Sequence, residues 1–203
     1  MNKKLGLGCG AFLIIVLVIG VILVGWGVKV NNNMVKLEES VKEKWSQVEN
    51  VYQRRFDLIP NLVATVKGYA EHEKETFIAV TEARSKVGGQ INVSDDVINN
   101  PQAFKQFQQA QSSLSGALQR LMVVVEKYPD LKANENFLNL QGQLEGTENR
   151  IAVERRRYNE SAREFNTYIK VFPNSFIASF RNFKSKEYFL SDEGAKKAPK
   201  VQF

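Results

Sequence analysis

The chain has one histidine, His72, and it stands between two acids in Glu71-His72-Glu73. A zinc helix of the H-E-x-x-H type would place a second histidine at Thr76, and a Ser/His/Asp arrangement needs a carboxylate that aims the ring at a nucleophile. Neither is present, so His72 reads as one residue of a solvated helix face. Paired carboxylates are plentiful, as in Asp95-Asp96, but acid/base work requires two carboxyls held apart in a shaped cleft, and this pair lies in a stretch that reads as a surface loop. Gly88-Gly89 lacks the strand-then-helix context of a phosphate cradle, and no G-x-x-x-x-G-K-S/T or G-x-G-x-x-G occurs. The expectation is a protein that is not an enzyme, with no catalytic residue, no metal site, no cofactor, no small-molecule substrate and no nucleotide.

The charge excludes another class. The net +6 is spread over both signs, with dense basic runs only at Arg155-Arg156-Arg157 and among the C-terminal lysines. A nucleic-acid binder would show a basic face interleaved with exposed aromatics or a recognisable module, and none is visible. No nucleic-acid partner is expected.

What positions the remaining chemistry is a set of helices, the first of them extremely apolar. Leu5 to Val28 contains no charged side chain. At 1.5 Å per residue it reaches about 36 Å, enough to cross a hydrocarbon core of about 30 Å. It ends in Gly25-Trp26-Gly27-Val28-Lys29, an aromatic and a cation suited to a membrane interface rather than a cleavage site. Residues 1–4 are then a short flank and 5–28 a single-pass anchor into the cell membrane. Cys9 precedes most of the apolar run, the reverse of a lipobox, and reads as a free buried thiol. Gly6, Gly10, Gly20 and Gly27 share one face, and Gly6 with Gly10 forms a G-x-x-x-G that favours self-association. Lys3 and Lys4 flank one side of the anchor; Lys29, Lys36, Lys42 and Lys44 on the other are mixed with Glu38, Glu39 and Glu43. The short basic N-terminus favours an extracytoplasmic domain.

Beyond the anchor, apolar residues recur at three- and four-residue spacing: Leu37, Val41, Trp45, Val48, Tyr52, Ile59, Leu62, Val66, Tyr69, Phe77, Val80. Pro60 punctuates this stripe. Asp57 as an N-cap would put Pro60 in a new first turn and make the site a chain reversal; the unbroken apolar phase equally allows one long kinked helix. Val87 to Asn100 reads as a loop. Asn100-Pro101 opens a helix with the stripe Phe104, Phe107, Gln111, Leu114, Leu118, Leu121, Val125, Tyr128. A last helix from about Leu131 to Phe172 carries Phe137, Leu140, Leu144, Thr147, Ile151, Tyr158, Ala162, Phe165, Ile169 and Phe172 at near-heptad, coiled-coil-like spacing. Gly142 and Gly146 within it would suit close approach of another helix.

The fold class expected is all-α: the anchor, then an antiparallel up-and-down helical bundle over 29–172 of four helices, or three with a kinked long first helix. Residues 173–203 form an aromatic-basic segment and polar tail. Phe176, Phe180, Phe183, Lys184 and Lys186 in it suit a membrane surface. That requires the tail to return to the bilayer, which four passes provide and a continuous first helix does not. Arg55, Gln111 and Thr147 fall on apolar stripes and need partners. For Arg54 or Arg55 the candidates are Glu145, Glu148 and Asp130, as structural pairs that fix helix register.

Several blocks resemble the bacterial LemA family: Trp45-Ser46-Gln47-Val48, Arg54-Arg55-Phe56-Asp57-Leu58-Ile59-Pro60-Asn61-Leu62-Val63, Val66-Lys67-Gly68-Tyr69-Ala70, Tyr128-Pro129-Asp130-Leu131-Lys132-Ala133-Asn134, Glu148-Asn149-Arg150-Ile151-Ala152, Arg157-Tyr158-Asn159, and Tyr168-Ile169 with Phe172-Pro173. They run in order through nearly the whole region after the anchor. Phe56 departs from a pattern that commonly carries a polar residue such as His. The resemblance implies a single-pass membrane protein with an antiparallel helical bundle, no established enzymatic activity and no cofactor, and a magnetosome-associated branch that points to membrane organisation. The function expected is that of a structural or adaptor protein of the bacterial envelope with envelope-protein or self partners; the alternative is direct membrane-surface binding through 176–189.

Overall fold

The structure is a computed structural model that describes residues 3–91 and 94–190, with side chains at 12–88 and 97–190. Among the described residues seven helices follow one another: α1 (Lys3–Lys67), α2 (Lys74–Ile91), α3 (Ser94–Asn99), α4 (Pro101–Val125), α5 (Pro129–Lys132), α6 (Glu135–Lys170) and α7 (Asn174–Phe180). Among the described residues there is no strand.

α1 runs without a break from the anchor through Pro60, so Asp57 is an interior helix residue rather than an N-cap. Pro60 has no N–H to give to the Phe56 carbonyl one turn earlier, and a neighbouring helix supplies a substitute. Arg84 of α2 donates Nε–H to Phe56 O at 3.5 Å while its guanidinium lies 3.9 Å from the centre of the Phe56 ring. The reversal comes later, over Gly68–Glu73, where Ala70 N–H bonds Val66 O and Glu73 N–H bonds Ala70 O. His72 therefore sits exposed in a turn, not on a helix face.

The stretch expected to be a loop after Val87 is helical: α2 continues to Ile91 and α3 takes up from Ser94. Val87 is buried, and a Cβ on Gly88 would press the Phe56 ring at 3.3 Å, so glycine here permits close helix packing rather than a turn. Asn100 caps α4 by accepting from Gln102 N and Ala103 N, with Pro101 at the first position. Asn134 caps α6 through Phe137 N, which places the start of that helix after Leu131 and leaves α5 as a separate turn. The chain leaves α7 through Asn182 at φ 57, with Phe183 N–H bonded to Ala178 O and Asn182 N–H to Ser179 O, a Schellman arrangement.

Cross-helix pairs fix the directions. Asn33 meets Tyr168, Ser40 meets Ser161 and Arg55 meets Glu148, so α6 runs back along α1 toward the anchor. Trp45 and Tyr52 pack on Phe107, and Arg55 on Gln111, so α4 runs with α1. Because the chain reverses at Gly68–Glu73 and twice more, the end of α6 returns to the anchor although α1 is continuous. The expectation that a continuous first helix strands the tail far away is corrected by this count of passes. Ile177 of α7 lies 3.7 Å from the Cβ position of Gly27.

Two apolar clusters make the core. The distal one joins Ile59, Leu62 and Val66 to Val80, Leu114, Leu121, Leu131 and Phe137. The anchor-proximal one gathers Val30, Met34, Trp45, Phe104, Tyr158, Phe165 and Phe189. Phe172, read as the end of the α6 stripe, is 75% exposed, since the helix stops at Lys170. Gly142 and Gly146 have no atom within 4 Å of their Cβ positions, so no helix closes on them.

Candidate functional site

Between the two clusters lies a layer of polar side chains centred on Arg55. Its helical phase places it on the buried stripe, and it is 1% exposed. Arg55 Nη1 donates to Glu148 Oε1 at 2.7 Å and to Ser115 Oγ at 2.8 Å; Nη2 donates to Gln111 Oε1, and the guanidinium lies 5.1 Å from the Tyr52 ring centre. Four helical positions thus converge on one cation. Arg55 Nε and Gln111 Nε2, both buried, keep no acceptor among the described residues. Thr147 beside them turns its hydroxyl onto Gln143 O.

The other residues singled out for pairing lie elsewhere. Arg54 is exposed, Asp57 accepts from Gln53 at 2.7 Å, Glu145 accepts from Gln141 at 2.9 Å, and Asp130 is exposed in the first turn of α5.

This polar layer floors a groove of about 830 Å³. One wall is α4, with Gln108, Ser112, Gln119 and Met122; the other is α6, with Gln141, Glu145, Asn149 and Arg155. Phe189 closes the end nearest the anchor. It belongs to an extended strap, residues 183–190, that sequence periodicity did not disclose. Asn166 Nδ2 donates to Lys186 O and its Oδ1 accepts Lys186 N–H, both at 2.8 Å; Asn159 makes the same pair with Phe189 at 2.9 Å. Phe189 then packs on Trp45, Phe104 and Tyr158, and Leu190 N–H reaches Gln108 Oε1 at 3.3 Å.

The strap corrects part of the aromatic-basic reading. Lys186 is 3% exposed, donating to Glu38 and Asn99 at 2.6 Å each, and Phe183 packs against Phe165. Both face protein because the segment is extended with a three-residue repeat, like a polyproline-II chain, which turns 183, 186 and 189 inward. Phe176 and Phe180 are 69% and 88% exposed, and Lys184 is exposed. Burial pushes the Tyr158 hydroxyl well above its usual range, helped by Glu187 and Tyr188 nearby; that hydroxyl donates to Glu187 O at 3.1 Å.

In the apolar part of α1, the large side chains from Phe12 to Val24 are all about half exposed or more, and a span there has mean hydropathy 2.7. It is long and apolar enough to cross a membrane. Trp26 packs on the anchor-proximal cluster and Lys29 is exposed. Gly20 has open space around it; the side-chain positions of Leu5, Gly6, Cys9 and Gly10 lie outside the described residues, as do Asp95 and Asp96. Among the described residues no three His, Cys, Asp or Glu side chains come together as metal ligands.

The LemA family pattern matches residues 44–203, which takes in the Arg55 layer, both groove walls and the strap. The chain belongs to the LemA family. It is 29% identical over 173 residues to the magnetosome protein MamQ of Magnetospirillum gryphiswaldense, covering 78% of this chain and 64% of that protein. The same figures hold for magnetosome protein MamQ 2 of Paramagnetospirillum magneticum, and protein LemA of Metamycoplasma hominis is 25% identical over 162 residues, 80% of this chain and 69% of its own. This LemA-family chain therefore spans somewhat under two thirds of the length of the magnetosome relatives it matches.

Proposed function

We propose that this LemA-family protein is a non-enzymatic, single-pass membrane protein of the bacterial envelope that works as a structural adaptor, with the helical domain outside the cytoplasm. The observation that carries this reading is the open groove between α4 and α6, a concave surface lined by amides, hydroxyls and apolar side chains, with Arg55 and Arg155 balanced by Glu145 and Glu148. The apolar span of α1 supplies the anchor, and the antiparallel helices over 29–172 act as one bundle that holds the groove away from the bilayer. The test is affinity isolation of the full-length protein from detergent-solubilised native membranes. A stoichiometric protein partner, or a defined self-assembly, is expected. A monomer that recovers no partner counts against the adaptor role.

A second reading rests on its own observation. Phe172, Phe176 and Phe180 are exposed on or beside α7, and α7 touches α1 at Gly27, the end of the apolar span. Aromatics at that level favour the membrane interface. On this reading α7 lies in the headgroup region and steadies the domain on the bilayer. With Phe176→Trp in vesicles containing brominated lipid, quenching of the new tryptophan is expected; protection equal to that of buried Trp45 refutes it.

A further inference from the structure

The strap shows what this groove recognises. Asn159 and Asn166 of α6 each grip one strap residue by its N–H and its carbonyl, as a neighbouring strand would. They are one heptad apart, about 10.5 Å along a helix, and the residues they grip, Lys186 and Phe189, are three apart, about 9 Å in an extended chain of three residues per turn. Extended backbone and helix repeat are therefore in register, and the strap fills the α4/α6 gap as far as Leu190. Among the described residues the gap beyond Leu190 stays open, and α4 carries on there with the same kinds of group at turn spacing: Ser112, Ser115 and Gln119.

We propose that the open part of the groove, between α4 and α6 beyond Leu190, binds an extended, uncharged peptide segment of a partner protein, gripped by its backbone. Three observations choose this occupant. From Ser112 to Met122 the open groove runs about 15 Å, the reach of about five extended residues. Its charged lining is balanced, Arg55 and Arg155 against Glu145 and Glu148, so a charged segment gains nothing from it. Arg55 Nε and Gln111 Nε2, in side chains that line the floor, are buried donors without an acceptor among the described residues, and peptide carbonyls are acceptors. Leu118, Met122 and Leu144 offer an apolar surface to side chains on every third residue.

This inference rests on the adaptor reading and is tested apart from it. Full-length protein with Cys9→Ser and either Ser112→Cys or Gln119→Cys is labelled with benzophenone maleimide, returned to its native membranes and irradiated, with Glu82→Cys on α2 as the control surface. The expected result is adducts from positions 112 and 119 to residues about three apart in one segment of another polypeptide. That segment, synthesised with blocked ends, should compete for the adduct, and backbone N-methylation of it should weaken competition at least tenfold. Adducts only to residues 191–203 of the same chain, to a second copy or to lipid overturn the proposal. So does a competitor indifferent to N-methylation. Partner adducts at position 82 but not in the groove overturn it while leaving the adaptor reading intact; no protein adduct at any site sinks both.

Discussion

Glu148→Ala takes the anion away from a guanidinium that is almost wholly buried. Arg55 donates to Glu148 Oε1 at 2.7 Å from a side chain that is 2% exposed, whereas the Glu148 side chain is 41% exposed. Stripping one partner from a wholly buried pair costs about 3–5 kcal/mol, against about 0–1 kcal/mol for a pair in water. Solvent screens only the carboxylate half here, so the expected loss lies between these limits, at about 2 kcal/mol. Arg55→Met behaves differently. It removes the buried charge and keeps much of the volume, leaves Glu148 in reach of water, and orphans chiefly the buried Gln111 Oε1, at a cost of about 1–3 kcal/mol. Adding Gln111→Leu removes that acceptor as well, so the double variant should fall short of the sum of the singles by about 1 kcal/mol or more. Urea unfolding of the full-length protein in detergent micelles, followed by circular dichroism and by the fluorescence of core Trp45, reads all three. A Glu148→Ala loss below about 0.5 kcal/mol, the size of a surface pair, together with strict additivity of the other two, would falsify the account of Arg55 as the hub of a buried layer.

Tyr158 holds its proton more tightly folded than unfolded, so its contribution to stability is complete below the unfolded tyrosine pKa of about 10 and is lost as pH rises past it. The stability advantage of wild type over Tyr158→Phe should therefore shrink between pH 10 and 11, and a constant difference across that range contradicts the assignment. Phe189→Ala removes the ring that plugs the Trp45, Phe104 and Tyr158 cluster and should cost about 3–5 kcal/mol, with limited proteolysis opening the chain within 181–190 before the helices. Arg84→Ala should cost about 1 kcal/mol when Pro60 is present and less in a Pro60→Ala background, where the Phe56 carbonyl regains its own helical donor. Equal losses in the two backgrounds would show that Arg84 does not replace that bond.

Helical phase carried most of what the sequence disclosed. Arg55, Gln111 and Thr147 fall on apolar stripes because their positions continue a 3.6-residue period, and all three are buried. Asn100-Pro101 declares its cap locally. The failures share a cause, which is that partners distant in sequence overrule local signals. Gly88-Gly89 reads as a breaker until the Phe56 ring is seen against Gly88; Lys186 reads as a surface cation, yet its ion-pair partner Glu38 is 148 residues away. Pro60 leaves a reversal and a continuous helix equally open in sequence, and the choice falls to the helix because the carbonyl it releases is answered from α2. The strap has neither helical period nor strand neighbour, since its backbone is paired with asparagine side chains, and no sequence pattern announces that. The groove followed it into obscurity, because a gap between two helices is defined by what fails to fill it.

The continuity of α1 bears on how an adaptor of this shape would work. Val30 and Met34 are already buried in the anchor-proximal cluster, so no linker separates the apolar span from the domain core. With the span in a bilayer, the tilt of the anchor is passed to the whole domain, and Ile177 of α7, resting on Gly27, opposes pivoting about that junction. Arg55 lies about 40 Å along the helix from Val28, which sets the height at which the groove opens. A partner held there would be kept at a fixed distance from the membrane and in a fixed orientation. The same rigidity explains why the polar layer is placed between two apolar clusters rather than within one: pairing Arg55 across α1, α4 and α6 pins the register of the helices at the level where their walls must stay apart.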